Sequence, residues 1–180
     1  FEKEVSDFIL NLAKNLGLEV HQDKKNNLLI RKPASSGYEN KKPIVIQAHI
    51  DMVCEKRPEV DHDFRKDPIK LVLEGDILST GNRTTLGADD GIGVAMAMAV
   101  LEDKNLKHPP VDVILTTAEE EDMSGALNID KSWFKTNRLI NIDHVVDNEI
   151  IAGSCGGIGV DLKFPVEYTK KIDNYKGYQI

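Results

Sequence analysis

Three acidic features and one histidine stand at places where a fold could gather them. His49, with Asp51 two positions on, ends the apolar run Pro43 to His49; Glu119-Glu120 follows Val111 to Thr117; Asp143 ends Leu139 to Asp143. Each lies at the carboxyl end of what reads as a buried strand, the edge where open α/β sheets collect functional groups. Asp89-Asp90 stands instead at the amino end of an apolar helix, where free N–H groups and the dipole favour carboxylates. With 30 Asp and Glu among 180 residues, acidic pairs arise by chance and are ordinarily solvated loops. A helix cap accounts for one of the two aspartates, but not for three acidic strand ends. If these ends converge, one imidazole and several carboxylates without cysteine form a ligand set for zinc or another divalent ion in a hydrolytic site. A cation would relieve their mutual repulsion. Side chains two apart on a strand share a face, so Asp51 is expected behind His49, accepting its other ring N–H. Adjacent residues diverge, so one of Glu119 and Glu120 is expected to bind metal while the other takes a proton from an activated water.

The elements that must position these groups follow from periodicity. Phe1 to Leu16 carries a helical apolar stripe, and Gly17 sits where a left-handed cap is wanted. Leu18 to His21 and Leu28 to Arg31 flank a Lys-Lys-Asn-Asn turn and predict a hairpin; Ile69 to Ser79 predicts another about Glu74-Gly75-Asp76. Residues 55 to 68 read as charged and irregular. Gly91 to Leu101 is apolar all round, which predicts a helix packed inside the domain. Val111 to Thr117 and Leu139 to Asp143 read as buried strands, and residues 124 to 136 as helical. Strand and helix alternate, which predicts a three-layer α/β core.

Composition narrows the function classes. At 41% hydrophobic and 29% charged the chain reads as a soluble globular protein, with 180 residues enough for one sizeable core. A net charge of -7 without a basic block argues against nucleic-acid and anionic-membrane surfaces. No apolar stretch is long enough to span a bilayer, and no leader pattern precedes the first helix. The sequence opens on Phe1 rather than Met, so the natural start is expected upstream. Cys54 and Cys155 lack metal-type spacing and read as free thiols of a reducing compartment, hence a cytoplasmic location.

The segments QAHIDMVCEK, TTLGADDGIGVAMA, TTAEEEDMSGA, LINID and GSCGG, in this order and spacing, resemble the aminoacylhistidine dipeptidases, also called Xaa-His or cytosolic non-specific dipeptidases, of the two-zinc aminopeptidase, carboxypeptidase and aminoacylase clan. The resemblance runs from the first helix to the last residue. It implies a three-layer α/β/α zinc-peptidase fold with a central mixed sheet, incomplete at the C-terminus. Residues 1–156 would form the first half of the catalytic domain, and 157–180 a strand leading into the lid (dimerisation) domain. It further implies two zinc ions, with manganese or cobalt as alternatives. His49 and Asp143 would hold the first, Glu120 the second, and Asp89 would bridge both; the backbone would bend through an unusual cis peptide at Asp89-Asp90. Glu119 would be the general base and Asp51 the group orienting His49. The implied reaction is hydrolysis of dipeptides of the Xaa-His type. A tripeptidase, carboxypeptidase or deacylase of the same clan is the alternative, and a non-catalytic metal-binding fragment or paralogue another.

The family's second zinc also takes a histidine from a later segment that the 180 residues do not supply. This chain alone is therefore expected to bind about one zinc tightly and to turn dipeptides over slowly. An unpaired sheet edge, or the lid, is expected to favour a homo-oligomer or a covering partner. His144, where the family has a small or acidic residue, is expected to point away from the site. His21 and His108 read as solvent-facing, and His62 as part of a charged surface excursion. Met96, Met98 and Met123 read as packing residues, and Gly156-Gly157 as a turn.

Overall fold

A computed structural model of the chain describes residues 2–144, 146, 148–153, 160–165 and 167. Phe1, Cys155 and Gly156-Gly157, together with most of the expected strand into the lid, lie outside the described residues. The chain divides into units of residues 1–145 and 146–180. All helices and strands of the described residues belong to the first; those of the second are exposed and carry neither.

Helix α1 (Glu2–Asn15) buries Ile9 and Ala13, has Glu2 and Glu4 in its first turn and Lys14 in its last, and ends before Gly17, whose φ of +74° supplies the left-handed stop. Strands β1 (Glu19–Gln22) and β2 (Leu28–Lys32) form the expected antiparallel hairpin. Strand β3 (Ile44–His49) is followed by an irregular stretch and then the second hairpin, β4 (Val72–Glu74) with β5 (Ile77–Ser79). Helix α2 (Ala88–Glu102), strand β6 (Val111–Thr116), the short α3 (Ser124–Leu127), a 3-10 turn at Lys131–Trp133 and strand β7 (Leu139–Asn141) complete the order.

The main sheet runs β1-β2-β6-β3-β7. Its β1/β2 and β2/β6 pairs are antiparallel, while β6/β3 and β3/β7 are parallel, so the sheet is mixed. Side chains alternate across it. Leu28, Ile30, Ala48, Val113 and Leu115 meet Ile9, Ala13, Ala97 and Leu101 of α1 and α2 on one face. On the other, Leu29, Val45 and Ile114 meet Ile129 and Trp133. The result is the three-layer α/β/α arrangement, with each fully buried Leu, Ile or Val contributing roughly 1.5–3 kcal/mol. Because β3 and β6 are parallel neighbours, their carboxyl ends, and the chain just beyond β7, open at one edge.

Several expectations need correction. Residues 124 to 136 form only one turn of α-helix and one of 3-10, because Asp130 caps Ser132 N–H and starts a new turn. Strand β7 is exposed, not buried: among the described residues it pairs with β3 alone and leaves Leu139 and Ile140 half open. Helix α2 is not enclosed either, since Ile92 and Met96 are each 56% exposed, and Met123 is exposed too; of the three methionines only Met98 is core. His108 is 6% exposed rather than solvent-facing. The loop after β2 covers it: Ser35 N–H donates to His108 O, Ser35 Oγ accepts from His108 N–H, and the ring Nδ1 lies 2.7 Å from Pro109 O.

Candidate metal centre

The open sheet edge collects the groups that the linear order keeps apart. His49 is the last residue of β3, and its side chain is fully buried. Its Nε2 lies 3.1 Å from Asp89 Oδ1 and 3.7 Å from Asp143 Oδ2. Its Nδ1 lies 3.1 Å from the Asp51 carbonyl oxygen and 3.4 Å from Asp51 Oδ1. The backbone carbonyl thus stands closer to Nδ1 than the Asp51 carboxylate expected there. Asp51 Oδ1 is buried and accepts no hydrogen bond, while Oδ2 accepts from Glu120 N–H at 3.0 Å. One carboxylate therefore links the end of β3 to the turn after β6.

Two groups of donor atoms lie within 4.8 Å of one another: His49, Asp89 and Glu120; and His49, Asp90 and Asp143. Every residue expected to bind metal is in one of them. Glu119, the expected base, is half-buried beside Glu120, which is exposed. His144 is exposed, as expected. His62 is half-buried and stands edge-on to Phe64 with ring centres 4.5 Å apart; among the described residues it joins no group of potential ligands.

Asp90 is the residue whose role the linear reading left unassigned. It is buried; Oδ2 accepts from His49 N–H at 3.2 Å, and Oδ1 from Gly93 N–H at 3.1 Å. The first turn of α2 is thereby tied to the end of β3. The Asp89-Asp90 peptide is cis and both residues have non-helical φ/ψ, so α2 becomes regular only from Gly91. Two adjacent aspartates thus diverge, one outward toward His49 Nε2 and one inward beneath it. Gly93 has to be glycine, since a Cβ there would stand 2.2 Å from Asp90 Oδ1. Only the Gly93 bond had a signal in the sequence, since an aspartate at a helix start accepts from the N–H three residues on.

The carboxylates gathered at the sheet edge shift one another and the imidazole among them. Burial raises Asp90 to about 6, with the Asp143 charge adding to it and the N–H groups of His49 and Gly93 opposing it. Asp143 is raised by burial and by Asp89 and Asp51, against the pull of His49. Glu119 is raised by burial and by Asp143, Glu120 and Asp51, again against His49. Burial pushes His49 down, but Asp89, Asp51, Asp143 and Asp90 outweigh it and leave the imidazole above its ordinary value. Both ring nitrogens face acceptors, an arrangement that favours the protonated ring. A divalent cation in place of the Nε2 proton would satisfy Asp89 and Asp143 while Nδ1–H stays on Asp51. The donor set therefore fits such an ion. Beside Glu120 opens a cleft of about 660 Å3, lined among others by Met52, Lys56, His62, Phe64 and Arg65.

No protein-family model matches the chain. Over 157 residues, 87% of its length, it is 46% identical to the cytosol non-specific dipeptidase of Escherichia coli. In structure it matches the aminoacylhistidine dipeptidase of Vibrio alginolyticus at TM-score 0.74 and 43% identity, over 79% of the chain. It matches the aminopeptidase PepT of Bacillus cereus at TM-score 0.62 and 26% identity, over 80% of the chain and 38% of that protein. The chain spans about a third of the first two relatives, 32% and 29% of their lengths. Sequence and fold agree over most of the chain, which is over that span a relative of the aminoacylhistidine, or cytosol non-specific, dipeptidases.

Proposed function

We propose that this chain supplies the metal-binding edge of a zinc dipeptidase. One observation carries the reading: the buried His49 Nε2 faces Asp89 and Asp143 while Asp89 and Glu120 lie within 4.8 Å of it and of each other. His49, Asp89 and Asp143 would hold a first zinc, and Asp89 with Glu120 a second. Bound there, zinc supplies Lewis-acid polarisation of a peptide carbonyl and acidifies a water. Asp51 keeps the His49 Nδ1 proton in place, leaving the Nε2 lone pair for metal. The Glu119 carboxylate, raised by burial and by its anionic neighbours, accepts a proton from the attacking water and returns it to the departing amine. The cleft beside Glu120 offers room for a substrate side chain.

Dipeptides, including those with a C-terminal histidine, are the proposed substrates. The dipeptidase relatives are 43–46% identical to the chain, against 26% for the aminopeptidase. His49, Asp89 and Asp143 would give the first site three donors against two, Asp89 and Glu120, at the second, so one zinc should be held more tightly than the other. Residues 157–180 would lead into a lid. The cytoplasm is the proposed location, supported by the free, exposed Cys54; no helix among the described residues is long and apolar enough to cross a membrane. Self-association through the open β7 edge is part of the same proposal. Metal analysis with hydrolysis of Xaa-His dipeptides and of tripeptides tests it. About one tight zinc and preferential cleavage of dipeptides is the expected result; absence of tight zinc, or preference for tripeptides, would overturn it.

A further inference from the structure

We propose that Asn27, far from the metal groups in sequence and absent from their shell, is a positioning residue for the turn that carries Glu119 and Glu120. Asn27 is wholly buried at the end of the β1–β2 turn. Its Nδ2 donates to Gly125 O at 3.0 Å and to Asp23 Oδ2 at 2.8 Å, and its Oδ1 accepts from Thr117 N–H at 3.0 Å. One amide thus ties together both ends of the loop that runs from Thr117, just past β6, to Gly125 in α3. Glu119 and Glu120 lie inside that loop.

The fit is close at each end. A Cβ on Gly125 would lie 2.0 Å from Thr117 O and 2.8 Å from Asn27 Oδ1, so the two ends pack backbone to backbone with the amide between them. Thr117 Oγ1 donates to Lys25 O at 2.9 Å, a second tie to the same turn. Ala118 then takes a φ of +51°, unusual for a residue with a side chain, and turns the chain toward the metal edge. The turn bearing Asn27 is itself anchored: Asp23 Oδ1 accepts from Asn27 N–H, and the buried Ser6 of α1 donates to Asn26 O at 2.7 Å. On the far side the glutamate turn is gripped by Asp51 through Glu120 N–H. Asn27 from behind and Asp51 from in front therefore fix where the two carboxylates stand relative to His49. No other single side chain among the described residues bonds to both Thr117 and Gly125. Thr117 N–H needs the acceptor and Gly125 O the donor, and a carboxamide carries both on one short planar group.

The consequence for zinc and proton transfer rests on the proposed function; the loop restraint does not. The test compares Asn27→Ala with Asn27→Asp, which keeps an acceptor for Thr117 N–H, and with Val45→Ala, a core change on the other sheet face, at a temperature where all are folded. Hydrogen exchange read by mass spectrometry should rise at least about tenfold for amides 117–121 in Asn27→Ala and stay protected in 44–49. Asn27→Asp should restore most of the protection of 117–121, although it destabilises the whole by setting a carboxylate against Asp23 and Gly125 O. Val45→Ala should raise exchange without singling out 117–121. Zinc affinity, measured with a competing chelator, should fall about tenfold in Asn27→Ala. Exchange in 117–121 that matches the Val45→Ala pattern, or an Asn27→Asp protein as loose there as Asn27→Ala, overturns the proposal. Should Asn27→Ala not fold, Asn27→Asp and wild type decide it alone, since loosening of 117–121 by Asn27→Asp beyond that of Val45→Ala has the same overturning force. An unsubstituted chain that binds no zinc would remove the dipeptidase reading and leave the exchange result to judge Asn27.

Discussion

The two halves of the site are built differently. The inner half, His49 with Asp90 and Asp51, lies between the end of β3 and the first turn of α2, and apart from the buried Asp51 Oδ1 its side-chain polar atoms are hydrogen-bonded within the chain. The outer half, Asp89 with Glu119 and Glu120, stands at chain turns with Asp89 and Glu120 exposed and Glu119 half-buried, and its glutamates owe their position to ties from Asn27 and Asp51. A rigid inner half can hold an imidazole in one tautomer, whereas an outer half on turns can adjust to an ion and a substrate. Substitutions in the two halves should therefore fail differently, the inner through folding and metal together and the outer through metal or chemistry alone.

The largest separation is expected from Glu119→Gln. It should leave zinc content unchanged and lower dipeptide hydrolysis by about 10²–10⁴-fold, the usual weight of a general base; parallel loss of zinc would instead make Glu119 a ligand. His49→Ala should reduce zinc affinity by more than about 100-fold, beyond the 10–100-fold typical of orienting residues. Zinc content after dialysis reads this directly, and retention of tight binding would dissolve the distinction between the halves.

The pH dependence isolates the inner half. The folded protein raises Asp90 from its ordinary 3.8 to about 6, so it favours the protonated form. That contribution is complete below about pH 4 and is lost as pH rises through about 6, at a cost of up to about 3 kcal/mol if the whole shift is realised. His49 is also raised, and its contribution is present below its ordinary value near 6.5 and lost as pH rises through its higher folded value. Metal-free protein should therefore lose stability between pH 4 and 7 in urea titrations, and zinc should reverse the trend, because its ligands must be deprotonated. A flat metal-free profile would mean that the inner carboxylates are better solvated than their burial implies.

Smaller effects sharpen the contrast further. Gly93→Ala, which drives a methyl group into the Asp90 carboxylate, should cost about 1–3 kcal/mol by denaturant titration. Asp51→Asn should lower zinc affinity by about tenfold, at the mild end for a partner behind a ligand, because the Asp51 carbonyl still accepts from His49 Nδ1. A loss as large as that of His49→Ala would give the carboxylate the whole orienting role.

Much of this was readable before any coordinates. The apolar runs that end on His49, Thr117 and Asp143 marked the strand ends, and the glycine after α1 and the two hairpin turns marked chain reversals. What escaped was environment. Leu139 to Asn141 has a core strand's composition yet sits at an edge, and apolar α2 leaves Ile92 and Met96 open, because periodicity records a residue's neighbours along the chain and not what covers them. His108 looked exposed beside two prolines and is buried under the Ser35 loop, a contact between residues 73 apart.

The sequence by itself determined which residue types meet at the site and which kind of element carries each, since those depend on side-chain chemistry and local periodicity. Tertiary structure alone decided that Asp89 turns outward while Asp90 turns beneath His49, that the Asp51 carbonyl shares the histidine, and that Asn27 closes the glutamate loop. Hydrogen bonds discriminate over tenths of an ångström and tens of degrees between groups distant in the chain, and that discrimination exists only once the sheet has brought them together.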